Sequence, residues 1–210
     1  SLSAWKGEVI ALIGRNGSGK TTLGKVLTGL IPCRDGRFIV AGSQVRQKRL
    51  SNYAYFVMQE ADHQLYKESA VEELRLGNER ASDIDERIAG ILDMLNLTDF
   101  AQHHPYALSG GQKQRLTIGT AMASSKPIVV LDEPTSGLDW GNMCAVAQAI
   151  NQLRESGRLV FVITHDIELV DLTATRVLAL AEGRIADDFP LSSQAALERT
   201  RQIMLGGGLL

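Results

Sequence analysis

The stretch Gly14-Arg15-Asn16-Gly17-Ser18-Gly19-Lys20-Thr21-Thr22 decides how the rest of the chain is read. It follows Val9 to Ile13, a short continuous apolar run of the kind a buried parallel strand needs, and opens a helical pattern that reaches Leu30 and is closed by Pro32. Glycines at 14, 17 and 19 allow positive φ and close backbone approach, so successive N–H groups can converge on polyphosphate oxygens, with the positive end of the following helix behind them. Lys20 sets a point charge against the β- and γ-phosphates, and the Thr21 hydroxyl is placed to complete the shell of a phosphate-bound Mg²⁺. A Gly, four residues, then Gly-Lys-Thr at a strand-to-helix junction argues against an unliganded turn. By itself the stretch says nucleotide and no more.

Composition bounds what surrounds it. At 210 residues and 44% apolar the chain buries a proper core and fits one domain with a small inserted subdomain. Lys and Arg total 22 against 24 acidic residues, a formal net charge of -2, so no global positive field draws the protein to nucleic acid. Cys33 and Cys144 have no paired spacing and read as a loop thiol and a helix-packing residue in a reducing compartment. No apolar run approaches the ~20 residues of a membrane-spanning helix. The start at Ser1, without an initiator Met and close to the cradle strand, reads as a processed chain or a piece of a longer one.

Downstream of the first helix, Asp35-Gly36 through Val40 and on past Gly42 reads as a turn joining two short strands, and Tyr53 to Met58 as a strand that hands over at Gln59 to a polar loop. From Glu68 to Phe100 apolar residues recur at three and four, a helical insertion in which Asp83 and Glu86 resemble a capping pair. Ser109-Gly110-Gly111-Gln112 opens a further helix to Ala123, a second helix start able to hold an anion or simply an N-cap. Pro127 to Leu131 is an apolar strand ending in Asp132-Glu133, at the edge where open parallel sheets bind ligands. Asp132 suits Mg²⁺, and Glu133 suits orienting and deprotonating an attacking water. Ser136-Gly137-Leu138-Asp139 leads into a helix from Asn142 to Arg154; Arg158 to Ile163 is another strand, closed by Thr164-His165. His165 on that edge could contact a γ-phosphate. Val177 to Leu180 and Arg184 to Phe189 pair around Glu182-Gly183, Gln194 to Met204 is a terminal helix, and Gly206-Gly207-Gly208 frays.

Taken together these residues resemble the nucleotide-binding ATPase of ABC transporters. Gly14 to Thr21 matches its Walker A loop, Gln59 the Q-loop glutamine, Leu108-Ser109-Gly110-Gly111-Gln112 the signature, Ile128 to Asp132 Walker B, Glu133 the catalytic glutamate, Ser136 to Asp139 the D-loop and His165 the switch histidine. The signature discriminates, because other P-loop enzymes lack it. Within the family the run Ala61-Asp62-His63-Gln64-Leu65 after Gln59, then Val71-Glu72-Glu73, and the Gln-Lys-Gln-Arg ending at Arg115, are similar to the ATPases of energy-coupling-factor importers for vitamins or transition metals.

The resemblance implies an α/β P-loop NTPase core with a parallel sheet, residues 1–64 and 124–210, carrying a small β-rich subdomain, and a helical subdomain at 65–123 that includes the signature helix. It implies ATP and Mg²⁺ as ligands, with Glu133, His165, Gln59 and Lys20 in catalysis. Gly14, Arg15, Asn16, Gly17, Ser18, Gly19, Lys20, Thr21, Thr22, Ser109, Gly110, Gly111, Gln112 and Asp139 would bind nucleotide, and Thr21, Gln59 and Asp132 the metal. It further implies two cassettes meeting head to tail, each signature against ATP in the other's cradle, held by an integral-membrane subunit at the cytoplasmic face, with no nucleic acid partner. Asp62, Glu68, Glu72 and Glu73 would form an acidic cluster for a basic segment of that subunit, or a solvated helix face. The chain starts too late to include the upstream aromatic against which the family stacks adenine, and Trp140 after the D-loop reads as a packing difference. A soluble ABC ATPase of DNA repair or translation is the alternative.

Overall fold

The structure, a computed structural model, describes residues 1–79 and 82–206, so the expected fraying at Gly207 and Gly208 lies outside the described residues. The chain opens with β1 (Val9–Ile13), α1 (Lys20–Leu27), the hairpin β2 (Phe38–Val40) and β3 (Ser43–Val45), and β4 (Ala54–Val57). Helices α2 (Ala70–Arg75), α3 (Ile84–Met94) and α4 (Gly110–Ala123) follow, then β5 (Ile128–Asp132), α5 (Trp140–Glu155), β6 (Leu159–Ile163) and α6 (Ile167–Thr173). The antiparallel pair β7 (Arg176–Ala181) and β8 (Arg184–Pro190) and the helix α7 (Gln194–Met204) complete it.

One six-stranded sheet runs β4-β5-β6-β1-β7-β8, and only β8 is antiparallel to its neighbour. Successive residues of a strand face opposite sides, and the core divides accordingly. Ile10 and Leu12 of β1, with Val130, Phe161 and Ile163, pack against Leu23 and Leu27 of α1. Val9, Val129, Leu131, Val160 and Val162 face α4 and α5, in one continuous cluster with the helical insertion. Ala11 and Ile13 extend that second face to α6 and α7. The cradle helix and the signature helix therefore lie on opposite faces of the sheet. Helix α1 sits close: a Cβ on Gly24 would meet Val130, Ile163 and Phe56 at 3.0–3.1 Å.

Three boundaries depart from expectation. Helix α1 ends at Leu27, three residues early, because Gly29 at φ 78 turns the chain and donates to Val26, while the Leu30 N–H donates to the Lys25 carbonyl; a Schellman turn stops the helix before Pro32 is reached. Asp83 precedes α3 without a side-chain capping bond, its backbone at φ -100, ψ 9 being outside the extended geometry a capping side chain needs. The reciprocal box forms instead at α4, where the Ser109 Oγ accepts from the Gln112 N–H and Gln112 Oε1 accepts from the Ser109 N–H. Helix α5 starts at Trp140 because Asp139 caps it, accepting from the Asn142 backbone at 2.8 Å.

Candidate functional site

Register places the motif residues along one edge. Val57 of β4 pairs with Leu131 of β5, Asp132 with Ile163 of β6, and Ile163 in turn with Leu12 of β1. The chain leaves these four of the sheet's five parallel strands at the same end, so Gln59, Asp132-Glu133, Thr164-His165 and the Gly14 loop share the carboxyl edge of the sheet.

At the centre the Thr21 hydroxyl donates to Asp132 Oδ1 at 3.2 Å, joining residues far apart in sequence. Asp132 is 4% exposed, and burial pushes its carboxyl above the ordinary carboxylate range, partly opposed by the Thr21 bond. A desolvated carboxylate beside a hydroxyl is a hard-oxygen pair short of a cation, which is the donor chemistry Mg²⁺ takes when phosphates supply the remaining ligands. Lys20 Nζ folds back on the loop, donating to the carbonyls of Gly14 at 2.8 Å and Arg15 at 3.2 Å. Ser18 Oγ is buried without a hydrogen-bond partner among the described residues. A cradle holding an unsatisfied hydroxyl and a self-bonded ammonium suits a phosphate ligand that would satisfy both.

Beside this pair Glu133 takes φ 50, left-handed backbone that a non-glycine residue adopts only under constraint. Its N–H donates to the Ile163 carbonyl at 2.9 Å, and Gln114 Nε2 lies 3.5 Å from its carbonyl oxygen. The constrained turn points the carboxylate at His165, whose Nδ1 stands 2.9 Å from Glu133 Oε2. The Glu133 side chain is 14% exposed and that of His165 is 80% exposed, so the pair reaches from the sheet edge to solvent. An open cleft of ≈ 350 Å³ borders it, lined by Thr135, Ser136, Gly137, His165 and Asp166.

Other expected site residues stand apart. Ser109 and Gly110 are exposed, and Gly111 faces Leu138 of the Ser136–Asp139 turn, so the start of the signature helix lies against that turn. Arg15, Asn16, Gly17 and Thr22 are exposed around the cradle mouth. Gln59 is exposed and makes no hydrogen bond to Thr21 or Asp132 among the described residues. The glutamine that organises this loop is Gln64, which accepts from the Met58 N–H and donates to the Phe56 carbonyl, both at 3.0 Å; only the folded loop distinguishes it from Gln59.

The acidic cluster dissolves into local partners. Glu73 is buried and accepts from the Tyr66 and Lys67 N–H groups; Asp62 pairs with Lys113 of α4 at 2.6 Å; Glu72 lies 3.8 Å from Arg75. Of the four, Glu68 is exposed without a charged partner among the described residues. Trp140, the first residue of α5, is 59% exposed. Cys144 is half-buried on α5.

The family model described as ABC transporter matches residues 1–136. The chain belongs to the ABC transporter ATP-binding family. An ABC transporter ATP-binding protein of Treponema denticola is 41% identical over 197 residues, covering 94% of this chain and 40% of its own length. Bacillus subtilis YkoD, described as an HMP/thiamine import ATP-binding protein, is 33% identical over 191 residues, 90% of this chain and 35% of that protein. The chain spans 32–40% of the length of the first three curated relatives it matches. Among solved ABC structures, cbiO1 from Clostridium perfringens, part of the transporter complex cbiONQ, superposes with TM-score 0.78 at 26% identity, covering 90% of this chain and 79% of its own. The cassette MJ0796, a dimer in a post-hydrolysis state with ADP and Pi, gives TM-score 0.80 at 28% identity over 91% of this chain and 89% of that one. No helix among the described residues is long and apolar enough to cross a membrane.

Proposed function

We propose that this cassette binds and hydrolyses ATP and, paired with a second cassette, powers an importer of the energy-coupling-factor type for a vitamin or metal ion at the cytoplasmic face of a membrane. The observation that carries the ATPase reading is the meeting, at one sheet edge, of Thr21 with Asp132 at 3.2 Å and Glu133 with His165 at 2.9 Å beside the Lys20 cradle. Lys20, freed from the Gly14 and Arg15 carbonyls, would reach the phosphates, and Thr21, Asp132 and Gln59 would hold Mg²⁺. Mg²⁺, when bound, neutralises charge on the phosphate oxygens. Glu133, oriented by His165, takes the proton of the attacking water.

A second cassette explains the other anion-ready helix start. Ser109 and Gly110, both exposed, and the half-buried Gly111 open the helix on the far face of the sheet from α1, with Asp139 nearby; they serve phosphates held by a partner rather than their own. The MJ0796 dimer supports this pairing, and the 40% coverage of the Treponema relative leaves room for a second cassette in one polypeptide. The import role and a vitamin cargo are supported by the likeness to YkoD, and membership of a transporter complex by the likeness to cbiO1. Glu133→Gln is the test. It should retain ATP binding and an ATP-dependent dimer on size exclusion while losing about 10²–10⁴ in hydrolysis rate, the scale of a positioned general base. Wild-type turnover in the variant would remove Glu133 from the role, and a strictly monomeric ATP-bound protein would remove the paired site.

A further inference from the structure

The hairpin joining β7 to β8 belongs to none of the motifs, yet its tip lies against the phosphate cradle. The Gly183 N–H donates to the Ser18 carbonyl at 3.0 Å. A Cβ on Gly19 would stand 3.5 Å from the Gly183 Cα, and one on Gly14 would stand 2.2 Å from the Leu180 carbonyl oxygen, far inside contact distance. Three residues of the loop therefore rest on one hairpin, and Gly14 can be nothing larger because β7 passes there. The support is stiff. Glu182 and Gly183 turn at φ 48 and φ 73, the tight two-residue geometry that matches strand twist, with Ala181 paired to Arg184 across it. Strand β7 is itself hydrogen-bonded to β1, the strand that delivers the loop.

The bond has a directional consequence. A trans peptide points its C=O and its N–H in opposite senses, and no peptide bond among the described residues is cis. With the Ser18 carbonyl drawn onto the hairpin, the Gly19 N–H of the same peptide is turned away from it, and no acceptor takes that N–H among the described residues. We propose that the Glu182–Gly183 turn is a positioning element of the nucleotide site: by holding the Ser18 carbonyl it aims the Gly19 N–H at the phosphates, although the turn itself touches no ligand. This rests on the ATP-binding reading above. Because the coupling is between two equilibria, it must be reciprocal: if the Gly183–Ser18 bond strengthens ATP binding, bound ATP must strengthen that bond by the same factor.

Replacing the Gly183 amide by its ester, with glycolic acid at position 183, removes the donor and keeps the φ. Calorimetric titration of the full chain with ATP well below its melting temperature should show affinity reduced about 3- to 10-fold, the scale of one lost hydrogen bond. Gly183→Asn keeps the N–H, tolerates left-handed backbone and meets open space at this position, so it should bind ATP within about twofold of wild type. Hydrogen exchange on the wild-type protein gives an arm independent of folding of the ester: the Gly183 amide should gain protection on ATP addition beyond that of Ala181 and Arg184. An ester that binds ATP like wild type, or Gly183 protection indifferent to ATP, overturns the proposal and leaves the hairpin a structural element only. Lys20→Ala separates the two readings. If wild type binds ATP and Lys20→Ala does not, the cradle reading stands and the ester decides the hairpin; wild type that binds no ATP overturns both.

Discussion

Asp132→Asn should make the ligand-free protein more stable while disabling its site. The carboxylate is 4% exposed, its one hydrogen bond comes from the Thr21 hydroxyl at 3.2 Å, and no cation pairs with it directly among the described residues. Burial outweighs the Thr21 bond and the more distant Lys25 and Lys20, with Glu133 adding to it, so the net shift of the acid is upward. An acid whose folded pKa is raised binds more protons folded than unfolded between the two values, so wild-type stability falls as pH rises through that window. The amide is nearly isosteric, does not titrate, and still accepts from Thr21. The variant should therefore gain on the order of 0.5–2 kcal/mol at neutral pH, the range of single stabilising substitutions. At ~2–4 °C per kcal/mol for a chain of this size, that is about 1–8 °C in melting temperature. Urea titrations of the ligand-free protein from acid to neutral pH measure it: the gap between variant and wild type should be absent in acid, open as pH climbs through the raised pKa of Asp132, and then hold constant. Calorimetry should show that the variant has lost the Mg²⁺-dependent part of its ATP affinity. A variant less stable than wild type at neutral pH, or a gap indifferent to pH, refutes the reasoning.

Arg158 donates to the Ala121 and Met122 carbonyls at 2.9 and 3.1 Å, closing the C-terminal end of the signature helix together with Arg87 on Ala123; Arg158→Met should cost about 2–5 kcal/mol in urea unfolding, two carbonyls losing charged donors, and a cost under ~1 kcal/mol would show that water replaces them. Asp188 is held below the usual carboxylate range by its hydrogen bonds with Arg176, so its contribution is present above the unfolded value near ~3.9 and is lost as pH falls through the lower folded value. Asp188→Asn should accordingly lose a constant increment of urea midpoint above about pH 5, and the difference from wild type should close in stronger acid; a difference that persists in strong acid assigns the effect to something other than this charge. Trp140, exposed beside the Asp139 cap, should shift its emission to the blue when ATP pairs two Glu133→Gln cassettes, read in a Trp5→Phe background that leaves it the sole tryptophan; unchanged emission in a sample shown to be dimeric places Trp140 outside the interface.

The chain's local chemistry determined much of this protein without any partner segment. The cradle, the apolar strands ending in Asp132 and Ile163, the Ser109–Gln112 box and the terminal helix from Gln194 to Met204 are each written in consecutive residues, because strand burial, helix starts and glycine turns depend on near neighbours. The end of the first helix at Leu27 and the uncapped start at Asp83 differ from the local reading because they depend on backbone geometry that residue type alone leaves open. What only the tertiary structure decided is which distant groups meet. Thr21 finds Asp132, Glu133 turns to His165, Glu73 leaves the surface for the Tyr66 and Lys67 amides, and the Glu182–Gly183 turn comes under Ser18. Those meetings follow from strand order in the sheet, and strand order is set by which buried faces pack together across the whole chain, a property that no single stretch of residues carries.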